Sequence, residues 1–394
     1  MQPLVALALA LRARGHDVSF LVPDNFVAWV ASYGFACDAN GIDVEALLRS
    51  GVDLSSARSQ LHHFRTALLP KQFDWFARVT DPPDVVVGAG VQLAARSAAE
   101  KWDIAYATVV FCPCAVPSSI APPPTVRVQT LPRWINRLLW DLGLPIAGVA
   151  LRSVFNEGRA RLGLAPVSNP LSLLADEPVV LAADTDLAPL GNDAPAHVVC
   201  TDAWQLEDWI DLDPQLDAFL QLEPRPIYVG FGSMVARHAR DLAAASIAAA
   251  RALGRPLLLA GGWAALDREI MNGDDVFAAE MVPHRAVLPR VAAAVHHGGA
   301  GTTTAAARAG VPQVILPHLL DQYYWAHRVA QLGLGPRGLS VELVNADVLT
   351  DRVAAALEDP RIGSRAAAFA PLVASRNGVD AAVHHLESFA DRGR

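Results

Sequence analysis

The chain contains 394 residues, a length that favours two domains over a single core. Hydrophobic residues make up 52% and charged residues 18%, which excludes an intrinsically disordered chain and predicts large buried cores. The formal net charge is −8 and no Lys/Arg cluster stands out, so a nucleic-acid-binding protein is excluded.

The first predicted element is a helix over residues 3–13, which Gly15 follows. A strand over residues 18–22 comes next and ends at Pro23. The same order of elements returns further along the chain, as a strand, a helix and a strand over residues 85–88, 91–102 and 104–111. Such alternation predicts a parallel sheet with helices on both faces.

Residues 112–133 are rich in proline and predict a long irregular loop, followed by a helix over about 132–162. Short strands are predicted at 179–183 and 197–200. A second alternating series then begins, with strands at 227–230, 256–260, 276–281, 292–296 and 313–317 and helices at 241–253 and 302–309.

The pattern divides the chain into an N-terminal domain over residues 1–205 and a C-terminal domain over 227–375. The acidic, proline-containing segment 206–226 is expected to link them. A last helix over 376–394 is expected to pack back on the N-terminal domain. Ligands of parallel sheets bind at the carboxyl ends of the strands, so two such domains predict a cleft between them.

No apolar run approaches the length needed to span a bilayer. The apolar start of the chain is followed, not preceded, by basic residues, unlike a signal peptide. We therefore expect a cytoplasmic protein without a transmembrane segment. The four cysteines are too few for a disulfide scaffold and lack zinc-site spacing, so free thiols are expected at Cys37, Cys112, Cys114 and Cys200.

The strongest motif follows the predicted strand 292–296 and reads His296-His-Gly-Gly-Ala-Gly-Thr-Thr303. Glycines allow backbone N–H groups to approach a phosphate, and the new helix adds unpaired N–H groups and a positive dipole end. His297 or Thr302 could donate further hydrogen bonds to phosphate oxygens. From the local pattern alone, a tight strand–helix turn without a ligand stays possible. The glycine spacing excludes a Walker A loop and disfavours a nicotinamide dinucleotide site.

Asp321 and Gln322 follow the strand that ends near Pro317, at the same sheet edge as the glycine loop. A carboxylate accepts hydrogen bonds, and an amide both donates and accepts them, so the pair suits sugar hydroxyls. Without the neighbouring glycine loop, the pair would be interpreted as a surface loop or a helix cap.

Together, His296–Thr303, the segment Ala309-Gly-Val-Pro-Gln-Val-Ile-Leu-Pro317 and Asp321-Gln322 resemble the donor signature of the family-one UDP-glycosyltransferases. The bacterial antibiotic and sterol glycosyltransferases are the most similar branch. Val229–Met234, and the segments around Gly262-Trp263 and Val282-Pro283, also resemble family segments, and the resemblance covers nearly the whole chain.

The resemblance implies an α/β fold of two Rossmann-like doubly wound domains facing across a cleft, the B-type glycosyltransferase fold. It implies that the C-terminal domain binds the nucleotide sugar and that the N-terminal domain binds the acceptor. His297 would contact the diphosphate and act in catalysis together with Asp321, which with Gln322 would hold the sugar. The remaining donor-binding residues implied are Ser233, Met281, Val282, His284, Gly299, Ala300, Gly301 and Thr302.

Many relatives have a tryptophan that stacks on the base where this chain has Met281, so uridine and thymidine donors both stay open. The family begins with a strand and a glycine-rich loop that carries the general base. Met1-Gln2-Pro3 resembles the tail of that loop, so we expect the base upstream of Met1 and the strands beside that first strand to lack a neighbour. His16-Asp17 is rejected as a replacement, because it lies at the amino edge of the sheet.

The expected function is therefore an inverting, metal-independent transfer of a hexose, with glucose favoured, from a UDP- or dTDP-sugar to a hydroxyl of a lipophilic natural product or sterol. No cofactor is expected beyond this co-substrate, no acidic cluster suited to a metal stands out, and the chain is expected to be a monomer or weak dimer. A catalytically inactive nucleotide-sugar-binding or activator homologue is the alternative, because the base is absent from the chain as written. A nucleotide-sugar epimerase is disfavoured, because the acids and histidine of its elimination chemistry are not recognised.

Overall fold

A computed structural model describes residues 1–43, 46, 56–90, 92–174, 177–206, 212–231, 239–261 and 273–392. The chain divides into two compact units. Unit 1 comprises Met1–Val44, Asp53–Leu206 and Asn377–Arg394, and unit 2 contains Glu207–Arg376. Residues 377–394 therefore belong to the same unit as the start of the chain.

The described strands are short and parallel, and their positions follow the alternating pattern of the sequence. They are Ser19–Val22 (β1), Ala36–Ala39 (β2), Val85–Ala89 (β3), Ala105–Val110 (β4), Val179–Leu181 (β5), Val198–Cys200 (β6), Ile227–Gly230 (β7), Leu257–Ala260 (β8), Val276–Ala279 (β9), Ala293–His296 (β10) and Gln313–Ile315 (β11).

The described helices connect and cover these strands. They are Gln2–Ala13 (α1), Val27–Ala31 (α2), Ala57–His63 (α3), Leu69–Phe76 (α4), Leu93–Trp102 (α5), Arg133–Arg161 (α6), Pro214–Phe219 (α7), Ala239–Ala252 (α8), His284–Val287 (α9), Ala300–Ala309 (α10), Gln322–Leu332 (α11), Ala346–Glu358 (α12), Pro360–Ala374 (α13) and Val379–Arg392 (α14).

In unit 1, β3-β4-β5-β6 form a four-stranded sheet that is covered on both faces. Tyr106 of β4 packs with α4, α5 and α6 on one face. Its neighbours Ala107 and Val109 pack with α1 and α14 on the other. This alternation explains why β4 is largely apolar, with residues of both its faces buried.

β1 and β2 form a separate two-stranded sheet. Leu21 of β1 and Val86 of β3 nevertheless pack against the same hydrophobic cluster, so both strands contribute to one core layer. Within the described residues β1 pairs with β2 alone and β3 with β4 alone.

In unit 2, the strands form one five-stranded sheet in the order β11-β10-β7-β8-β9. Ile227 and Val229 pack with α8 and α12 on one face. Tyr228, between them, packs with α7, α9 and α10 on the other face. The alternating sides confirm a doubly wound sheet with helices on both faces.

Helix α7 forms within the predicted linker 206–226. Asp213 begins the helix, because its Oδ1 accepts hydrogen bonds from the backbone N–H groups of Gln215 (2.7 Å) and Leu216 (3.4 Å). Leu216 and Phe219 then pack on the core of unit 2. The acids and prolines that suggested a linker are thus partly the start signals of a helix.

Helix α6 is, among the described residues, long and apolar enough by length and composition to cross a membrane. This finding differs from the sequence prediction, which found no such segment. The helix packs against α4 and α5 through residues that include Leu151 and Phe155. The buried Arg159 also pairs with Glu100 of α5 at 2.7 Å.

Helix α14 docks on unit 1 through a close backbone contact at its start. The N–H of Gly378 donates to the carbonyl of Ala203 at 3.2 Å. At its other end Glu387 accepts from Arg14 (2.6 Å) and lies 2.9 Å from His16. The hydrogen bonds from Arg14 and then His16 lower the pKa of Glu387 to about 2. His16, rejected above as a base, is thus committed to this exposed pair.

We predict that Gly378→Ala destabilises unit 1. A Cβ atom there would overlap the carbonyl oxygens of Thr201 and Asp202, which belong to the backbone and cannot turn aside. Overpacking of this kind costs about 1–3 kcal/mol. Calorimetry should show a lower unfolding temperature.

The matched control is Gly363→Ala, because Gly363 lies inside α13 with nothing within 4 Å of its added methyl group. Alanine there should stabilise the helix by about 0.5–1 kcal/mol. Equal unfolding temperatures for both variants would contradict the docking of α14 through Gly378.

Candidate functional site

The candidate site lies at one edge of the unit 2 sheet, where the parallel strands end. His297 directly follows β10, and Asp321 and Gln322 follow β11. Met281 and Val282 follow β9. The structure therefore brings these predicted residues to the edge at which open α/β sheets bind ligands. Ser233, which follows β7 in the chain, lies outside the described residues.

The glycine loop is held by His296, which is completely buried. Its Nδ1 accepts a hydrogen bond from the N–H of Gly298 at 3.1 Å. Its Nε2 therefore carries the proton and donates to Oε1 of Gln313 on β11 at 3.0 Å. Burial lowers the pKa of His296 to about 3, so the ring is neutral when it holds the loop.

Gly298 allows the glycine loop to approach the segment that contains Asp321 and Gln322. Its φ is +88°, in the region that favours glycine. A Cβ atom there would lie 2.6 Å from Cγ2 of Ile315 and 3.2 Å from the carbonyl oxygen of Gln322. Glycine thus lets the loop after β10 rest directly on the start of α11.

His297 is half-buried and neutral near pH 7. Burial, followed by the nearby His318, lowers the pKa of His297 to about 4, and the backbone of Gly230 partly opposes this shift. Its Nδ1 is buried and makes no hydrogen bond in the structure. A buried ring nitrogen without a partner is costly, and an incoming anionic group would satisfy it once the ring is protonated.

Helix α10 begins immediately after this histidine. Gly299 is the N-cap and offers no side-chain hydrogen bond to the first turn. The N–H groups of Ala300, Gly301 and Thr302 are therefore those that a helix leaves without intrahelical partners. Thr303, by contrast, bonds back to the carbonyl of Gly299 through both its N–H (3.0 Å) and its hydroxyl (2.9 Å). The first turn can accommodate negative charge.

Asp321 and Gln322 differ from the simple sugar-binding pair that the sequence suggests. Oε1 of Gln322 accepts hydrogen bonds from the N–H groups of His318 (2.7 Å) and Leu319 (3.1 Å). This oxygen shapes the turn, and the amide nitrogen is the part of Gln322 that remains for a ligand. The residue before Asp321, Leu320, has a φ of +51°, an uncommon backbone for a non-glycine residue.

The Asp321 carboxyl group lies in a desolvated position. Its Oδ2 accepts a hydrogen bond from Nε1 of Trp325 at 3.1 Å. Burial nevertheless raises the pKa of Asp321 to about 6, because the indole bond only partly opposes it. Hydroxyl groups that donate to this carboxylate would stabilise its charged form.

The segment after β9 has an exposed and a buried part. Met281 is 74% exposed, whereas Val282 packs partly on the core of unit 2. His284 lies behind them, with Nε2 2.9 Å from the Tyr228 hydroxyl. Burial lowers its pKa to about 4. His284 therefore supports this segment through Tyr228.

Sequence reasoning missed three residues of the site. His296 and Gln313 form the support of the glycine loop, and His318 packs its ring 5.7 Å from that of Phe231. The alternation of β10 could have distinguished His296 from His297, because consecutive strand residues face opposite sides. His318 gave no comparable signal.

Within the described ranges, no group of three His, Cys, Asp or Glu is arranged to hold a metal ion. A cavity of about 470 Å³ opens at the opposite, amino edge of the same sheet, where Arg225, Arg255 and Pro312 line it. It shares no residue with the candidate site.

We predict that Gly299→Ala displaces the His297 ring. An added Cβ would lie 2.5 Å from Nε2 of His297, and the ring would have to move. The NMR signal of the ring, assigned with a His297→Asn variant, should shift, and its pKa should rise as the ring becomes more exposed.

Gly301→Ala is the matched variant, because nothing lies within 4 Å of its added methyl group. It should leave the His297 signal in place. If the His297 signal shifts in both variants, the cause is any change in this loop. The shift could then not be attributed to the contact between Gly299 and the ring.

We predict that Asp321→Asn stabilises the protein at neutral pH. The pKa is about 6 in the folded chain against an ordinary value of 3.8, so the charged carboxylate disfavours folding once the pH exceeds both values. The gain should reach about 2–3 kcal/mol at pH 7.5 and fade as the pH drops towards 4.

Urea unfolding of the variant and the wild type across this pH range measures the difference in their free energies of unfolding. The titration of the histidines affects both proteins alike and cancels in this difference. A constant difference at all pH values would contradict the raised pKa.

Comparisons with known proteins agree with this geometry. The family model "Erythromycin biosynthesis protein CIII-like, C-terminal domain" matches residues 268–387. Glycosyltransferase GtfE of Amycolatopsis orientalis is 38% identical over 344 residues, covering 85% of this chain and 82% of the relative. The vancomycin aglycone glucosyltransferase of the same organism is 38% identical over 339 residues, with the same coverage.

Solved structures support the fold. CalG4, the calicheamicin glycosyltransferase, superposes with a TM-score of 0.68 at 20% identity, covering 99% of this chain and 95% of the other. The glycosyltransferase VinC in complex with dTDP gives 0.67 at 20% identity, covering 99% and 96%. The parallel sheets of both units, the loop after β10 and the extent of the matches lead to one conclusion: the chain belongs to the antibiotic glycosyltransferases of the B-type, two-Rossmann-domain fold.

Proposed function

We propose that this glycosyltransferase transfers a hexose, with glucose favoured, from a UDP- or dTDP-sugar to a hydroxyl group of a lipophilic natural product, with inversion and without a metal ion. The observation that carries the proposal is the pairing of a buried, unpartnered His297 Nδ1 with the open first turn of α10. Both would meet a diphosphate placed at the carboxyl end of β10.

The diphosphate would be stabilised by the chain itself. In the transition state the bond between the anomeric carbon and the diphosphate breaks, and negative charge grows on the phosphate oxygens. The N–H groups at the start of α10 and a His297 ring that gains a proton would stabilise this charge. These groups supply the positive potential that a metal ion supplies elsewhere, which supports metal independence.

The sugar would lie against Asp321 and the amide nitrogen of Gln322. Sugar hydroxyls that donate to Asp321 would lower its raised pKa and pay for its burial. A site built in this way disfavours sugars that lack the hydroxyl, because its own polar groups are left unpaired. Met281 and Val282 would contact the base, and Ser233 would contact a phosphate.

The acceptor oxygen would attack the anomeric carbon from the face opposite the diphosphate, which inverts the configuration. Its proton must pass to a general base as the new bond forms. Relatives named for a vancomycin aglycone, a tylonolide and a sterol define the acceptor class to be tested. We place the reaction in the cytoplasm, where nucleotide sugars are made.

The second candidate function is that of a nucleotide-sugar-binding homologue without transfer activity. It is favoured by the engagement of His16 with Glu387, which leaves the adjacent His16-Asp17 pair without the freedom of a base. Donor binding and transfer must therefore be measured separately.

The experiment combines titration calorimetry with UDP, dTDP and their glucose conjugates, and transfer assays with the three acceptor classes. Binding followed by transfer with inverted anomeric configuration, unchanged by EDTA, supports the proposal. Binding without transfer to any acceptor favours the second candidate. If no nucleotide or nucleotide sugar binds, both candidate functions are overturned. If EDTA abolishes the transfer activity and Mg²⁺ restores it, metal independence is overturned.

We predict that His297→Ala lowers the transfer rate by about 10²–10³-fold, the usual effect of removing one charge-stabilising donor. His297→Asn keeps an N–H donor and should lose less. Wild-type binding of the diphosphate should take up a proton, visible as a dependence of the heat on the buffer. Equal rates for the alanine variant and the wild type would remove His297 from the mechanism.

A further inference from the structure

Helix α6 carries a long apolar stripe on the side that faces away from unit 1. Its side chains are large and exposed: Trp134 (68%), Leu138 (45%), Leu142 (55%), Ile146 (69%) and Val149 (61%). Spacings of four, four, four and three residues place them on one face, over about 22 Å of helix. A contiguous apolar face of this kind marks an interaction site.

The opposite face of α6 is fixed to its own unit. Nδ2 of Asn136 donates to the carbonyl of Ser119 at 3.0 Å, and Nε1 of Trp140 donates to that of Ala121 at 3.0 Å. Further along, Arg159 pairs with Glu100. The stripe is therefore not the side through which the helix joins its unit.

The charges around the stripe oppose the charge of the whole protein. The chain carries a net charge of −8, whereas residues 126–152 contain four arginines and a single acid, Asp141. Asp141 is already paired with Arg137 at 3.0 Å. Arg133 and Arg152, which lie near the two ends of the stripe, are exposed. An apolar helix face bordered by arginines is typical of binding to an anionic lipid surface.

A second copy of the chain fits the same face less well. In an antiparallel two-fold contact, Arg133 at one end of the stripe would face Arg152 at the other end of the second copy. Like charges opposed across an interface weaken it and disfavour the pairing. An anionic membrane satisfies the apolar stripe and the arginines together.

We infer that the α6 stripe, Trp134 to Val149, is a docking surface for an anionic membrane, on which the helix lies parallel to the lipid plane. The inference does not depend on the proposed sugar transfer, because it rests on a surface of unit 1 that shares no residue with the candidate site.

The test is co-sedimentation of the full chain with vesicles of phosphatidylcholine and with mixed phosphatidylcholine–phosphatidylglycerol vesicles. We expect binding to the mixed vesicles that weakens with salt, and little binding to phosphatidylcholine alone. Leu142→Ser with Ile146→Ser should weaken binding by about tenfold or more, because both side chains would insert into the lipid. Leu343→Ser, which changes an equally exposed residue (63%) of unit 2, should have no effect.

Charge is tested in the same way. Arg133→Ala with Arg152→Ala should remove most of the salt dependence, whereas Arg361→Ala, an exposed arginine of unit 2, should not. All variants should keep the circular dichroism spectrum and the unfolding temperature of the wild type, which shows that they fold.

Three results would overturn the inference: no binding to the mixed vesicles, equal binding to both vesicle types, or binding that survives the stripe variants. A dimer in sedimentation velocity that the stripe variants dissociate, without vesicle binding, would assign the surface to a second copy.

Discussion

The hydrogen bonds of one buried, neutral histidine organise the candidate site. His296 ends β10, accepts from the N–H of Gly298 and donates to Gln313 on the neighbouring strand. It therefore fixes the direction in which the chain leaves the sheet, and with it the positions of His297 and the first turn of α10. Because the ring has one donor and one acceptor, protonation would break the contact with Gly298, and burial prevents protonation near neutral pH.

The pKa values of the two groups proposed to bind the ligand, His297 and Asp321, are shifted in opposite directions. Burial lowers the pKa of His297 and raises that of Asp321, so burial disfavours the charged form of each in this structure. A nucleotide sugar would reverse both shifts, since its diphosphate favours a protonated ring and its hydroxyls favour a carboxylate. The protein itself offsets the burial of these polar groups only in part, so a ligand that satisfies them would be favoured over one that does not.

Much of the fold was predictable, because both domains use apolar strands separated by clear helix and turn signals. The strand Ile227–Gly230 and the glycine loop are examples. A short apolar run predicts a buried parallel strand, and closely spaced glycines predict a tight loop before a helix. The turn role of Gln322 was not predictable, because it depends on the backbone of His318 and Leu319 being brought within reach. Helix α7 was missed for a different reason: Asp213-Pro214 is both a linker-like pair and a helix start.

The stripe on α6 was also hidden from sequence reasoning. The apolar residues are interrupted by Arg137 and Asp141, so no uninterrupted hydrophobic run appears. Only the positions of Asn136 and Trp140 on the buried side show that Trp134, Leu138 and Leu142 face outwards. Which face of a long helix is covered depends on tertiary packing and not on composition.

The return of the last helix to the first unit has a consequence for biosynthesis. Val379, Val383 and Leu386 complete a core to which α1, β4 and β5 also contribute. A ribosome delivers those partners hundreds of residues apart, so the first unit cannot finish its core before the whole second unit has been synthesised. The second unit, whose sheet lies within one continuous stretch, can fold first. The N-terminal unit would then be the last part of the newborn chain to become resistant to proteases, and the one most in need of chaperones.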